Sequence, residues 1–172
     1  MTNTGSGLGV LGSLRCVDGM GALRIEDRFR ADIDDAWSAL TEPRRLAHWY
    51  GEVEGDLEQG GTYSARLFAS GWEGTGRVEA CEPPGRLVVV SRDPDEPHEN
   101  VTEVTLTVQG AETVVVVDQR GLPLELLWAY AAGMQIHVED LGDHLAGRER
   151  RDAAPRFDQL GPAYRALATN IG

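Results

Sequence analysis

Apolar and polar positions first alternate between Ala22 and Arg30, where Leu23, Ile25 and Phe29 interleave with Arg24, Glu26 and Arg28. Period two predicts a half-buried strand, with Asp27 as its one imperfection. Asp32 then offers an N-cap, with Asp35 three residues on in the manner of a capping box. Ile33, Trp37 and Leu40 follow on one face of a short helix. Pro43 suits the first turn of a second helix, whose stripe is Leu46, Trp49 and Tyr50 and which Gly51 stops. Strand-like segments come next, divided by turn residues, at about 52–58, 62–69, 72–81, 87–92, 104–108 and 113–119. Their short links predict an antiparallel sheet. After Gly121-Leu122-Pro123 the period changes to about 3.6. Leu127, Tyr130, Ala131, Met134, Val138, Leu141 and Leu145 predict a helix over 126–146, ended by Gly147. Phe157, Leu160, Tyr164 and Leu167 suggest a shorter final helix interrupted by Gly161-Pro162. A hydrophobic sheet face and a long striped helix must bury against each other, so the class is α+β.

The chain has 172 residues, 41% apolar and 26% charged, which is one soluble globular domain. Residues 1–20 show no period and read as a mobile leader, 21–147 as the domain and 148–172 as an extension. Gly7, Gly9 and Gly12 satisfy a dinucleotide-binding spacing, but no strand precedes them, so a nucleotide is not expected there. Sixteen basic against 28 acidic residues give a net charge of −12. Such a field repels nucleic acid and anionic lipid, so neither is an expected partner. All the cations are arginine, which excludes Schiff-base chemistry and lysine phosphate loops. Apolar runs fall short of the roughly 18 residues of a membrane span. Cys16 and Cys81 read as reduced thiols of a cytoplasmic protein.

The residues also carry a resemblance. Trp37-Ser38-Ala39-Leu40-Thr41-Glu42-Pro43 followed by Leu46-Ala47-His48-Trp49-Tyr50 resembles the N-terminal signature of the SRPBCC (START-like) superfamily. More narrowly it is similar to the family of heat-shock-protein ATPase activator homologues. Gly60-Gly61-Thr62-Tyr63, Gly76-Arg77-Val78, Glu82-Pro83-Pro84-Gly85-Arg86-Leu87, the run Thr113 to Val117 and Ala132-Gly133-Met134-Gln135-Ile136-His137-Val138 match it in the same order. The resemblance implies a helix-grip fold: a curved antiparallel sheet of about six to seven strands around a long C-terminal helix, with two short helices after the first strand. Met134 stands where the family often has Trp, and Gln119 where it often has His. The first departure implies a larger or looser pocket. The family's larger co-chaperones carry a second domain that these residues do not include.

That fold implies an apolar cavity between helix and sheet, a common form of ligand site. Trp49, Tyr63, Phe68, Trp72, Trp128, Tyr130 and Met134 are candidates to line it. Apolar content favours the face of Tyr63, Ala65 and Leu67 as the inner one, leaving Phe68 at the rim. His137 is a candidate polar group toward the ligand. His137, Asp140 and His144 share a helix side, yet too few ligands accompany them for a metal. Arg77 and Arg92 lie in strands: facing inward, either anchors an acidic or carbonyl ligand; facing outward, each needs an acidic partner such as Glu73. Glu52, Glu54, Asp56 and Glu58 read as a solvated strand face. No nucleophile elbow, HExxH or usable Cys-His pairing is present. The expected function is binding of a small hydrophobic or amphipathic molecule, without cofactor, by a monomer or homodimer. Two alternatives stay open: activation of a chaperone ATPase, and cyclase- or aromatase-like catalysis on a polyketide.

Overall fold

The computed structural model describes residues 11–95 and 97–171. Most of the glycine-rich spacing at 7–12 therefore lies outside the described residues. The elements run β1 (Ser13–Val17), β2 (Met20–Phe29), α1 (Ile33–Thr41), α2 (Pro43–Trp49), β3 (Gly51–Gly55), β4 (Thr62–Leu67), β5 (Glu73–Glu82), β6 (Arg86–Arg92), β7 (Glu99–Gln109), β8 (Glu112–Leu122), α3 (Leu127–Leu145) and α4 (Ala153–Ala168). The strands form one antiparallel sheet of eight, ordered β1-β2-β8-β7-β6-β5-β4-β3.

The expected six to seven strands become eight because part of the supposed leader is structured. Ser13 to Val17 pairs with β2, Leu14 opposite Leu23 and Val17 opposite Met20. The two-residue turn between them is Asp18-Gly19, both at positive φ (53° and 79°). That is the hairpin geometry an Asp-Gly pair favours.

Asp32 caps α1 by accepting from the Asp34 amide at 3.2 Å. Asp35 does not close a capping box; its carboxylate pairs with Arg45 of α2 at 2.6 Å. Alternation along β2 and β8 sends Leu23, Ile25, Val115 and Val117 inward, and all four are buried. They meet Leu127, Ala131, Ile136, Val138 and Leu141 of α3, which lies across the inner face. The outer face carries a lattice of arginine–carboxylate pairs, among them Arg77–Glu99, Arg86–Glu103 and Arg15–Asp118.

The C-terminal segment is part of the core rather than an appendage. α4 runs unbroken through Gly161 and Pro162. Tyr164 is fully buried; its hydroxyl accepts from the Gly12 amide at 2.7 Å and donates to the Gln135 side-chain oxygen of α3. One phenol thus ties the β1 edge, α3 and α4 together.

Candidate functional site

α3 does not close down on the whole sheet. Between them, with α1, α2 and the start of α4 as further walls, lies a cavity of about 990 Å³. Trp49, Tyr63, Trp72, Tyr130, Met134 and His137 all line it. Trp49 donates its indole N–H to the Ala39 carbonyl at 3.0 Å, and Trp72 donates to Asp93 at 3.1 Å, so both rings are held in place. Phe68 stands at the mouth, with the Arg150 guanidinium 4.9 Å above its ring.

Three candidates lie elsewhere. Trp128 faces α4, packing on Phe157 (centroids 6.0 Å apart) under Arg165, whose guanidinium is 3.9 Å from its ring. Two helical residues separate it from Tyr130, a rotation of roughly 200°, so both cannot face the cavity. Arg77 alternates with Gly76 and Val78 and so points to the outer face, bridging Glu79 at 3.0 Å and Glu99 at 2.9 Å. Burying it inward without these partners would cost several kcal/mol, about the penalty for an unpaired ion. Arg92 is likewise exposed on that face, opposite Glu99. Glu73 is not the partner of either.

The two histidines of α3 also part company. His137 is buried against the cavity, its ring 4.9 Å from that of Tyr50 in an edge-on contact. His144, about 10 Å further along the helix axis, accepts from Arg45 at 3.3 Å and stacks on His48. Among the described residues no group of three His, Cys, Asp or Glu could hold a metal.

Burial sets the charge state of the interior. It pushes His137 down to about 4, so the imidazole is neutral near pH 7. It raises the phenols of Tyr50 and Tyr63. Asp140, on α3 beside the mouth segment, is pushed up to about 6 by burial, against the pull of Arg150. Arg148 and Arg151 both grip Asp143, each at 3.0 Å, and this anchors the segment 148–154 along the cavity mouth.

Polar groups inside the cavity were largely missed by sequence reasoning. Register places Tyr63 of β4 beside Gly76 of β5, Gly76 beside Ser91 of β6, and Ser91 beside Asn100 of β7. Gln119 of β8 completes the set, its Nε2 donating to Asn100 Oδ1 at 3.1 Å. Gly76 makes the row possible. A Cβ there would fall 2.4 Å from the Tyr63 hydroxyl, which instead crosses β5 to reach Ser91 Oγ at 3.4 Å. Two buried polar atoms of cavity-lining side chains have no partner: Gln119 Oε1 and His137 Nδ1. Alternation could have flagged Ser91, Asn100 and Gln119 as inner residues, but only strand register shows that they adjoin.

A helix-grip architecture with a ligand-sized hollow under its long helix defines the class. The family model described as Activator of Hsp90 ATPase homolog 1-like protein matches residues 30–146, and the chain belongs to that family. CalU16 from Micromonospora echinospora is similar in its crystal structure, 24% identical with a TM-score of 0.76, over 92% of this chain and 96% of that one. DynU16, a protein of the dynemicin biosynthetic locus, is 27% identical with a TM-score of 0.69, over 77% of this chain and 50% of its own. An HSP90 activator from Plasmodium falciparum shares the fold at 18% identity and a TM-score of 0.52, over 60% of this chain and 74% of that one. No curated protein matches at a significant level. No described helix is long and apolar enough to cross a membrane.

Proposed function

We propose that this protein reversibly binds a small hydrophobic or amphipathic molecule in the cavity between α3 and the sheet, without a cofactor. One observation carries the reading: a space of about 990 Å³, walled mainly by apolar side chains, in which two buried polar atoms lack partners. Its size is that of small-molecule sites. Each unpaired atom costs about 1–3 kcal/mol, which a ligand hydrogen bond would recover. Covering apolar surface adds about 25 cal/mol per Å² before ordering costs are subtracted. Neutral His137 orients the ligand. DynU16's place in a biosynthetic locus supports a secondary metabolite as its source. The free thiols Cys16 and Cys81 fit a reducing, cytoplasmic setting.

The test is a thermal-shift panel of lipids and polycyclic aromatics. Binding ligands raise Tm by mass action, and Met134→Trp, which sets an indole in the cavity, shrinks the rise. A panel without any shift well above micromolar concentration overturns the proposal. Family membership favours a second reading, stimulation of a chaperone ATPase. An unchanged ATP turnover rate on adding this protein would dismiss it.

A further inference from the structure

The inner face of the sheet is graded. Along β6 it reads Ser91, Val89, Leu87; along β7 Asn100, Thr102, Val104; along β8 Gln119, Val117, Val115, and every one of these residues lines the cavity. Register aligns the gradients, because Ser91 lies opposite Asn100, Val89 opposite Thr102, Thr102 opposite Gln119, and Val104 opposite both Leu87 and Val117. Three neighbouring strands therefore change from polar to apolar in the same direction, over about 13 Å along each strand. A cavity lined only for packing would have no use for such alignment.

The polar end has a definite chemistry. Asn100 and Gln119 share one hydrogen bond and are both buried. Gln119 Oε1 is left without a partner, and three of the pair's four amide N–H groups lie outside the shared bond. Ser91 and the Tyr63 phenol, which burial keeps protonated, stand beside them. The cations that line the cavity among the described residues, Arg150 and Arg151, belong to the mouth segment and already engage Phe68 and Asp143. An anionic head group at the Asn100 end would be desolvated with no opposite charge, which is expensive. A hydroxyl is not: it donates to the orphaned carbonyl and accepts from the amide.

We propose that the cavity selects neutral, hydroxyl-bearing apolar ligands, with the hydroxyl read by Asn100 and Gln119 and the apolar body laid along Val104, Val115 and Val117. The proposal rests on the ligand-binding reading and narrows it to a ligand class. It excludes fatty acids and other carboxylates as preferred occupants.

The test uses one fluorescent body with three heads: 1-hydroxypyrene, 1-methoxypyrene and 1-pyrenecarboxylate, titrated into the full chain at pH 7. The hydroxyl compound should bind at least tenfold more tightly than the ether, which accepts but cannot donate, and the carboxylate most weakly. Replacing both amides, Asn100→Leu with Gln119→Leu, should cut the hydroxyl-to-ether ratio below about threefold while the ether still binds. The paired change avoids stranding one buried amide. A wild-type ratio near one, a ratio untouched by the double variant, or tightest binding by the carboxylate overturns the inference and leaves the cavity reading standing. Failure of all three compounds to bind overturns both.

Discussion

Gly133 offers the sharpest perturbation of the empty space. It lies mid-way along α3 and lines the cavity, and a Cβ added there meets no atom within 4 Å beyond its chain neighbours and its own helix backbone. Gly133→Ala therefore incurs no clash and gains the helix-propensity difference, about 1 kcal/mol. For a protein of this length that corresponds to a rise in Tm of about 2–4 °C. Gly142, nine residues further along the same helix, is the internal control. A Cβ there would sit 2.6 Å from the Phe29 ring, so the same propensity gain is opposed by overpacking of about 1–3 kcal/mol. Gly142→Ala should thus leave Tm unchanged or lower it. Differential scanning calorimetry of the two variants reads the contrast directly. Equal shifts, or a lower Tm for Gly133→Ala, would mean that the space beside Gly133 is filled, and the reasoning would fail.

Titration supplies two opposing signals. His137, held near 4 against an ordinary 6.5, adds stability that is complete above pH 6.5 and lost as pH falls toward 4, up to about 3 kcal/mol. Asp140, held near 6 against 3.8, does the reverse: its cost is absent below pH 3.8, grows between, and is complete above 6. His137→Gln should therefore lose less stability than wild type between pH 7 and 5, and Asp140→Asn should gain at pH 7 an advantage that fades by pH 4. Urea titrations at each pH giving parallel curves would contradict both. Tyr164→Phe strands the Gly12 amide and the Gln135 carbonyl, so it should cost about 1–3 kcal/mol and speed amide exchange along β1. Unaltered β1 protection would show that the phenol is not its anchor.

Much of the fold was legible because period carries it. The switch from two to 3.6 after Pro123 placed α3 to within a residue at each end, and Pro43 marked the start of α2. β1 was obscured by its glycine-rich surroundings, although Asp18-Gly19 is itself a hairpin signal. Gly161-Pro162 read as a break, but packing overrode that local preference: Gly161 lets α4 lie against the Trp128 ring, where a Cβ would meet it at 3.3 Å. The site divided along the same line. Aromatics at helical or strand spacing were findable singly: Trp49, Tyr63, Phe68, Trp72 and Tyr130 stand along the cavity. Trp128 misled because α4, which covers it, was not foreseen as core. Arg77 misled because its outward partner Glu99 is 22 residues away and only strand pairing brings the two together. The polar row is likewise a property of register, which no single segment contains.

The central claim, an open apolar hollow beneath α3, is tested most directly by titrating unsubstituted pyrene and following energy transfer from Trp49 and Trp72, which line that hollow. Saturation at one pyrene per chain, weakened by Gly133→Leu in a variant that still unfolds cooperatively, is the predicted result. Transfer that never saturates, or that Gly133→Leu leaves untouched, would contradict it.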